Sequence, residues 1–190
     1  MSIMRLILTC TLLALHGPLA QAQDSMPTHC RAGEVALLDA WMGPIDDEQG
    51  GGERYPASGK LLSLCTEGQG ESTTKLAYRY GKLKHPEIEA VATRRSKFRI
   101  YSGSTTPHTG EDIVFFDKGP FTYYVVVATG QGHGTSLYTY KGNNRIGLQR
   151  SGFEEGVAYQ QGPAAYDFFD RRNRIPVAVW SKPAHGFGRD

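Results

Sequence analysis

Apolar and polar residues alternate along most of the chain from Val35 onwards. Side chains that alternate with a period of two line opposite faces of a β-strand, and these runs are bounded by Gly, Pro, Asn or Asp. Helical periodicity is hard to find, and residues 164–169 and 176–180 are two further strand candidates. We therefore predict about nine short strands, in residues 35–41, 60–65, 75–80, 87–92, 97–101, 112–116, 121–128, 135–141 and 145–150.

The best-defined hairpin covers residues 113–128, where Gly119 and Pro120 supply the chain reversal. On its second strand, positions 121 to 127 in steps of two and positions 122 to 128 in steps of two are both largely apolar. Such a strand is central and covered on both faces. We predict an all-β fold, an antiparallel meander that forms a β-sandwich or a barrel-like or propeller-like stack.

The N-terminus has the organisation of a secretory signal peptide. Arg5 precedes an apolar run at residues 6–15, and Ala20-Gln21-Ala22 forms a small-x-small cleavage site. The apolar run is too short to span a membrane. We predict a signal peptide at residues 1–22, a single secreted β domain at residues 23–190, and a periplasmic or secreted location.

Cleavage would remove Cys10 and leave Cys30 and Cys65. An even pair of cysteines in an exported chain predicts a disulfide. The charge is nearly balanced, with 21 basic and 19 acidic residues. This balance gives no reason to expect nucleic acid as a partner.

The common catalytic and metal-binding motifs are absent from the sequence. There is no Gly-x-Ser-x-Gly, His-Glu-x-x-His or Cys-x-x-Cys. His85, Glu87 and Glu89 would face one way on a strand, which suits either a metal or a solvated strand entry. We predict neither a metal nor a cofactor.

Two polar segments stand out as recognition loops. Residues 101–110 join two predicted strands and are longer than a plain turn requires, and residues 130–134 form a glycine-rich hairpin loop. Since each hairpin reverses direction, both loops should emerge at the same edge of the sheet. His133 fits a solvated loop histidine, a contact residue or a catalytic base. The predicted partner-binding residues are Tyr101, Ser102, Ser104, Thr105, His108, Gln131 and His133.

Two other segments lack a strand pattern. Residues 43–52 are acidic and then glycine-rich, which is typical of a mobile loop. Residues 181–190 contain Pro183, Gly186 and Gly188 and show no period, so we expect this tail to fray.

Several strands carry a resemblance to known proteins. Leu76-Ala77-Tyr78-Arg79-Tyr80-Gly81, followed by Glu87 and by residues 112–116 and 121–125, resembles small exported β proteins of Gram-negative bacteria. These include periplasmic inhibitors or immunity proteins of cell-wall-degrading enzymes. The resemblance implies an inhibitory Ser-Gly loop, at Ser102-Gly103 or Ser151-Gly152. The Tyr that commonly follows that pair is missing, so the resemblance does not single out lysozyme.

Three functions remain open from the sequence. The leading hypothesis is a periplasmic binding or inhibitory protein that docks polar loops into a partner protein. The alternatives are a structural or envelope-stress module, and a hydrolase that uses His108 or His133 as its base. The oligomeric state does not follow from the sequence.

Overall fold

A computed structural model describes residues 26–43, 59–130, 134–152 and 158–187. The predicted signal peptide and the acidic, glycine-rich segment at residues 44–52 lie outside these ranges. The elements are β1 (Val35–Met42), β2 (Lys60–Glu67), a 3-10 turn (Gly70–Ser72), β3 (Lys75–Lys82), β4 (His85–Ala92), β5 (Phe98–Thr106), β6 (Thr109–Lys118), β7 (Phe121–Gly130), β8 (Thr135–Lys141), β9 (Asn144–Arg150), β10 (Tyr159–Gln161), α1 (Ala164–Phe168) and β11 (Ala178–Trp180).

The strands form two sheets that pack face to face as a sandwich. The first sheet has the order β10-β1-β2-β3-β4, and the second has the order β11-β5-β6-β7-β8-β9. All neighbours are antiparallel except β11 and β5, which are parallel. Among the described residues both sheets end in edge strands, so the sandwich is the form that this all-β fold takes. A backbone bridge between Gly43 and Arg150 joins the two sheets at one corner.

The alternation predicted from the sequence fills the space between the sheets. Tyr78 of β3 lies against Phe116 of β6, with 4.9 Å between their ring centroids. Tyr123 and Val125 belong to this same buried cluster, whereas Tyr124 lies in a separate cluster on the outer face of the second sheet. The prediction that β7 is covered on both faces is therefore confirmed.

The segment at residues 26–34 covers the outer face of the first sheet. The predicted disulfide between Cys30 and Cys65 is present, with 5.5 Å between the two Cα atoms. The backbone amide of His29 donates to the Ser63 hydroxyl at 2.9 Å. With a sequence separation of 35 between the two cysteines, the cross-link stabilises the fold by about 3 to 4 kcal/mol in the chain-entropy model.

The C-terminal tail covers the outer face of the second sheet, so the prediction that it frays is wrong for residues 181–187. Phe187 is buried, with its ring centroid 4.9 Å from that of Tyr124 and 4.8 Å from that of Tyr138. His185 stacks on Tyr140 at 4.1 Å with nearly parallel rings. Since both faces of β7 are apolar, the sheet needs such a cover.

Two local predictions are also wrong. Residues 164–169 contain the helix α1 rather than a strand, because Pro163 already has helical dihedrals and Ala164, Ala165 and Phe168 recur at helical spacing on the buried side. Residues 101–110 are not a long loop: β5 and β6 extend through them, and the reversal needs only Pro107 and His108. The polar composition of this segment is typical of a loop, and for that reason the sequence did not predict that its residues pair as strands.

Candidate binding groove and hairpin tip

The β5–β6 turn and the end of β7 lie at the same edge of the second sheet. Thr109 at the start of β6 pairs with Gly130 at the end of β7. A Cβ placed on Gly130 would stand 2.3 Å from the His108 carbonyl oxygen, and this residue has φ +76. Only glycine suits that close, left-handed position. Gln131 and His133 lie outside the described residues.

The turn itself, which we call the hairpin tip, consists of residues 106–109. The hydroxyls of Thr106 and Thr109 lie 2.7 Å apart, and the His108 amide donates to the Thr106 hydroxyl at 3.2 Å. These bonds hold the turn and leave the His108 side chain exposed. Of the predicted contact residues that the structure describes, His108 is the one at a hairpin tip.

Tyr101, Ser102, Ser104 and Thr105 lie along β5 instead. The Ser102 carbonyl accepts a hydrogen bond from the Arg171 guanidinium, and its hydroxyl bonds to Asp112 on the neighbouring strand. Burial raises the pKa of Asp112, an effect that the Ser102 bond opposes. Ser102 thus acts within the fold, and Thr105 falls at a register shift between β5 and β6.

Tyr101 and Ser104 line a groove between the second sheet and the C-terminal tail. The groove has a volume of about 450 Å³, within the usual range of ligand sites, about 300 to 1,000 Å³. Gly103 has no side chain, so the Tyr101 ring lies over that glycine and forms one wall of the groove. Its lining consists of Tyr101, Gly103, Ser104, Glu111, Ile113 and residues 182–187.

Glu111 places a carboxyl group in the groove. It pairs with Gly103 across the strands and is half-buried. Desolvation raises the pKa of its carboxyl group. Among the described residues it has no hydrogen bond or ion pair, although Lys182 lines the same groove. An unpaired carboxylate between aromatic walls can accept a cation or a hydrogen-bond donor from a ligand.

Arg171 fixes one wall of this groove. Its guanidinium lies 5.6 Å from the ring centroids of both Tyr101 and Trp180. Contacts of this type are favourable because the ring face is electron-rich. The sequence did not single out Glu111 or Arg171. A charged residue on an alternating strand, such as Glu111, and a charged residue in a loop, such as Arg171, are both expected to be exposed to solvent.

The second polar cluster of the described residues lies under the N-terminal segment, far along the chain from the groove. Arg79 donates to both oxygens of Glu34, at 2.6 and 2.9 Å, and to Glu89 at 2.9 Å. The side chains of Arg79 and Glu34 are 1% and 2% exposed. This arrangement fully satisfies a buried guanidinium, so we assign it to the stability of the fold.

Asp39 and Ser63 form a separate buried pair, joined by a 2.5 Å hydrogen bond from the hydroxyl to the carboxylate. Burial raises the pKa of Asp39 to about 6, and hydrogen bonds from Ser63 and Thr28 partly oppose this effect. His29 lies nearby, but its Nε2 faces the Gly81 carbonyl oxygen. A hydroxyl closed off in this way has no route to a substrate, so we assign no catalytic role to the pair.

The candidate metal ligands on β4 are occupied by basic side chains. Glu87 pairs with Lys60 at 2.5 Å, and Glu89 pairs with Arg79 and Arg31 at 2.9 Å. His85 is exposed at the start of the strand. The three side chains are therefore not gathered around one position.

No family model matches this chain, and neither the curated proteins nor the solved structures give a match. Within the described ranges, no helix is long and apolar enough to cross a bilayer. The fold and the groove thus define an all-β sandwich whose second sheet is covered by the C-terminal tail, with a groove beside that tail that contains the Glu111 carboxylate and the Lys182 side chain.

Proposed function

We propose that this protein is a periplasmic or secreted binding protein that docks onto a partner protein through the groove and the hairpin tip. The observation that carries the proposal is the unpaired, half-buried carboxylate of Glu111 between the walls of the groove. Leaving a carboxylate desolvated and unpaired costs free energy, which a cationic group of a partner would recover.

The partner surface that suits this site presents a lysine or arginine side chain beside polar groups. The apolar walls formed by Tyr101 and Ile113 accommodate the methylene stem of such a side chain, and Glu111 receives its charge. His108 and the threonine hydroxyls of the hairpin tip would contact the partner beside the groove. The stiff strands on both sides keep the ordering cost of binding low.

The hydrolase hypothesis receives no support from the hairpin tip. A histidine that acts as a base needs a group that orients its ring. Within the described residues the His108 ring has no hydrogen-bond partner, since only its backbone amide is bonded. We therefore favour recognition over catalysis at this edge.

An inhibition assay tests the proposal, with secreted muramidases and amidases as partners, the one encoded beside this gene first. The purified chain should slow lysis of a cell-wall suspension at equimolar ratio. Glu111→Gln should weaken inhibition at least tenfold, because a desolvated charge pair loses one partner. Glu71→Gln, which changes an exposed carboxylate outside the groove, should have no effect. Unchanged lysis at excess protein across the panel would reject the inhibitor proposal.

A further inference from the structure

The end of the second sheet opposite the hairpin tip brings several strand termini into one row. Lys118 at the end of β6 pairs with Phe121, Phe121 pairs with Lys141 at the end of β8, and Lys141 pairs with Asn144. Adjacent strands are about 4.8 Å apart, so the Cα atoms of Lys118 and Lys141 are separated by roughly 10 Å. Charged side chains that are distant in the sequence therefore lie side by side here.

This row, with the β4–β5 connection, is strongly basic. Arg94, Arg95 and Lys97 in that connection make no ion pair with the described residues, and all three are exposed. Asp117, next to Lys118 at the end of β6, is paired with Arg99 at 2.8 Å. We call the basic end the set of exposed residues Arg94, Arg95, Lys97, Lys118 and Lys141.

The carboxylates of the first sheet at this end do not cancel the charge. Glu67 and Glu34 are both bound to Lys75, at 3.1 and 2.9 Å. Glu71, in the connection between β2 and β3, is exposed and makes no ion pair with the described residues, so it offsets one of the positive charges. Among the described residues, Lys118 contacts the first sheet through a hydrogen bond from its ammonium group to the Glu89 carbonyl oxygen, at 2.9 Å. A nearly neutral chain can thus present a local excess of positive charge, which attracts an anionic surface over about a Debye length.

An aliphatic side chain projects beside these charges. Ile146 follows Arg145 at an irregularity in the pairing of β8 with β9, and it is 55% exposed. It is the most exposed large aliphatic residue among those described. Val91, two residues before the β4–β5 connection, is 38% exposed. Basic side chains with adjacent aliphatic ones are typical of proteins that bind the interface of an anionic membrane.

We infer that the basic end binds peripherally to the surface of an anionic phospholipid bilayer. Each Lys or Arg near such a surface raises the partition coefficient by about fivefold, and Ile146 would add contact with the acyl boundary. Because the hairpin tip and the groove residues Gly103, Ser104 and Glu111 lie toward the opposite end of the same sheet, bound protein would present them away from the membrane. This inference does not depend on the proposed partner protein.

Vesicle co-sedimentation of the purified chain tests the inference. At an ionic strength of about 0.02 M the chain should bind phosphatidylcholine vesicles that contain roughly one-third phosphatidylglycerol, but not pure phosphatidylcholine, and about 0.5 M salt should release it. Lys118→Glu with Lys141→Glu should lower the partition coefficient at least tenfold. The matched control, Lys82→Glu with Lys84→Glu in the β3–β4 turn, should stay within about threefold of the unmodified chain.

Further variants identify the source of the negative charge. Lys97→Glu with Lys141→Glu leaves the Lys118 hydrogen bond intact and should also lose binding, which guards against misfolding of the first pair. Ile146→Ser should reduce vesicle binding a few fold and leave binding to soluble polyphosphate unchanged. Failure to bind the anionic vesicles, equal losses in the control pair, or equal responses of vesicles and polyphosphate to Ile146→Ser would each overturn the inference.

Discussion

Tyr101 lies over Gly103, two residues further along the same strand, and a Cβ on Gly103 would stand 2.4 Å from the Tyr101 Oη. The ring therefore occupies the space that a side chain would take at residue 103. The groove depends on this arrangement, since the same ring forms one of its walls.

We predict that Gly103→Ala displaces the Tyr101 ring and destabilises the fold by about 1 kcal/mol, because a new methyl group meets an aromatic side chain that must move. In a Tyr101→Ala background the same change should be neutral or stabilising, since alanine is favoured over glycine within a strand. Denaturant unfolding of the four proteins gives the coupling free energy. Equal effects of Gly103→Ala in both backgrounds would contradict the contact.

Glu34→Gln should destabilise the protein by about 3 kcal/mol at pH 7, because it leaves the buried Arg79 without its bidentate partner. Arg79 and other bonds lower the pKa of Glu34 to about 2 from its usual 4.5, against the opposing effect of burial. A depressed pKa stabilises the folded state above the unfolded value. The stability that Glu34 supplies is thus present above pH 4.5 and is lost as the pH falls toward 2.

The measurement is the free energy of unfolding from urea titrations at pH 7, 4 and 2. The difference between the unmodified chain and Glu34→Gln should shrink as the pH falls. Glu71→Gln, which changes an exposed carboxylate, should match the unmodified chain throughout. A difference that stays constant with pH would show that Glu34 does not titrate as the salt bridge requires.

Asp39 should give the opposite pH dependence. Its pKa is raised to about 6 from 3.8 by burial, so the folded state favours the neutral carboxyl group. The contribution is fully present below pH 3.8 and is lost as the pH rises through 6. Asp39→Asn removes the titration and retains a partner for Ser63.

We expect Asp39→Asn to be more stable than the unmodified chain at pH 8, by about 1 to 3 kcal/mol, and close to it at pH 4. Thermal denaturation across this range is sufficient. The comparison between the two proteins isolates Asp39 from His29, whose pKa is lowered mainly by its own burial. If the stability of both proteins depended on pH in the same way, the conclusion that the folded state raises the pKa of Asp39 would be wrong.

The strands could be predicted because the apolar and polar positions within each strand indicate which of its faces is buried. The alternation on β7 marks two apolar faces, and the structure covers both of them. What covers the outer face was not predictable, since the tail that contains Phe187 has no period and its contact with Tyr124 depends on two segments far apart in the sequence. The local pattern of apolar residues indicates that a face of a strand is buried, but it does not indicate which other segment of the chain covers that face.

The same limit applies to the groove. Glu111 has the sequence pattern of an exposed charge, and only the tail passing over β5 and β6 makes it half-buried. Residues 101–110 are rich in serine, threonine and glycine, which are common in turns, so their composition predicts a loop. The structure shows that most of them belong to the paired strands β5 and β6. That the chain reverses within residues 101–110, at the same edge as the end of β7, could be predicted, since consecutive hairpins alternate between the two ends of a sheet. The position of the reversal at Pro107 and His108 was not predicted.

Phe187 tests whether the tail is part of the domain. Phe187→Ala should lower the free energy of unfolding by about 3 kcal/mol, because it removes a buried ring from the cluster formed with Tyr124 and Tyr138. Exposure of those two rings should increase binding of a hydrophobic dye, and limited proteolysis should cut the tail earlier than in the unmodified chain. Lys182→Ala, an exposed change in the same tail, is the matched control. If both variants resisted proteolysis and unfolded like the unmodified chain, the tail would not cover the second sheet. Residues 182–187 would then not form a wall of the groove.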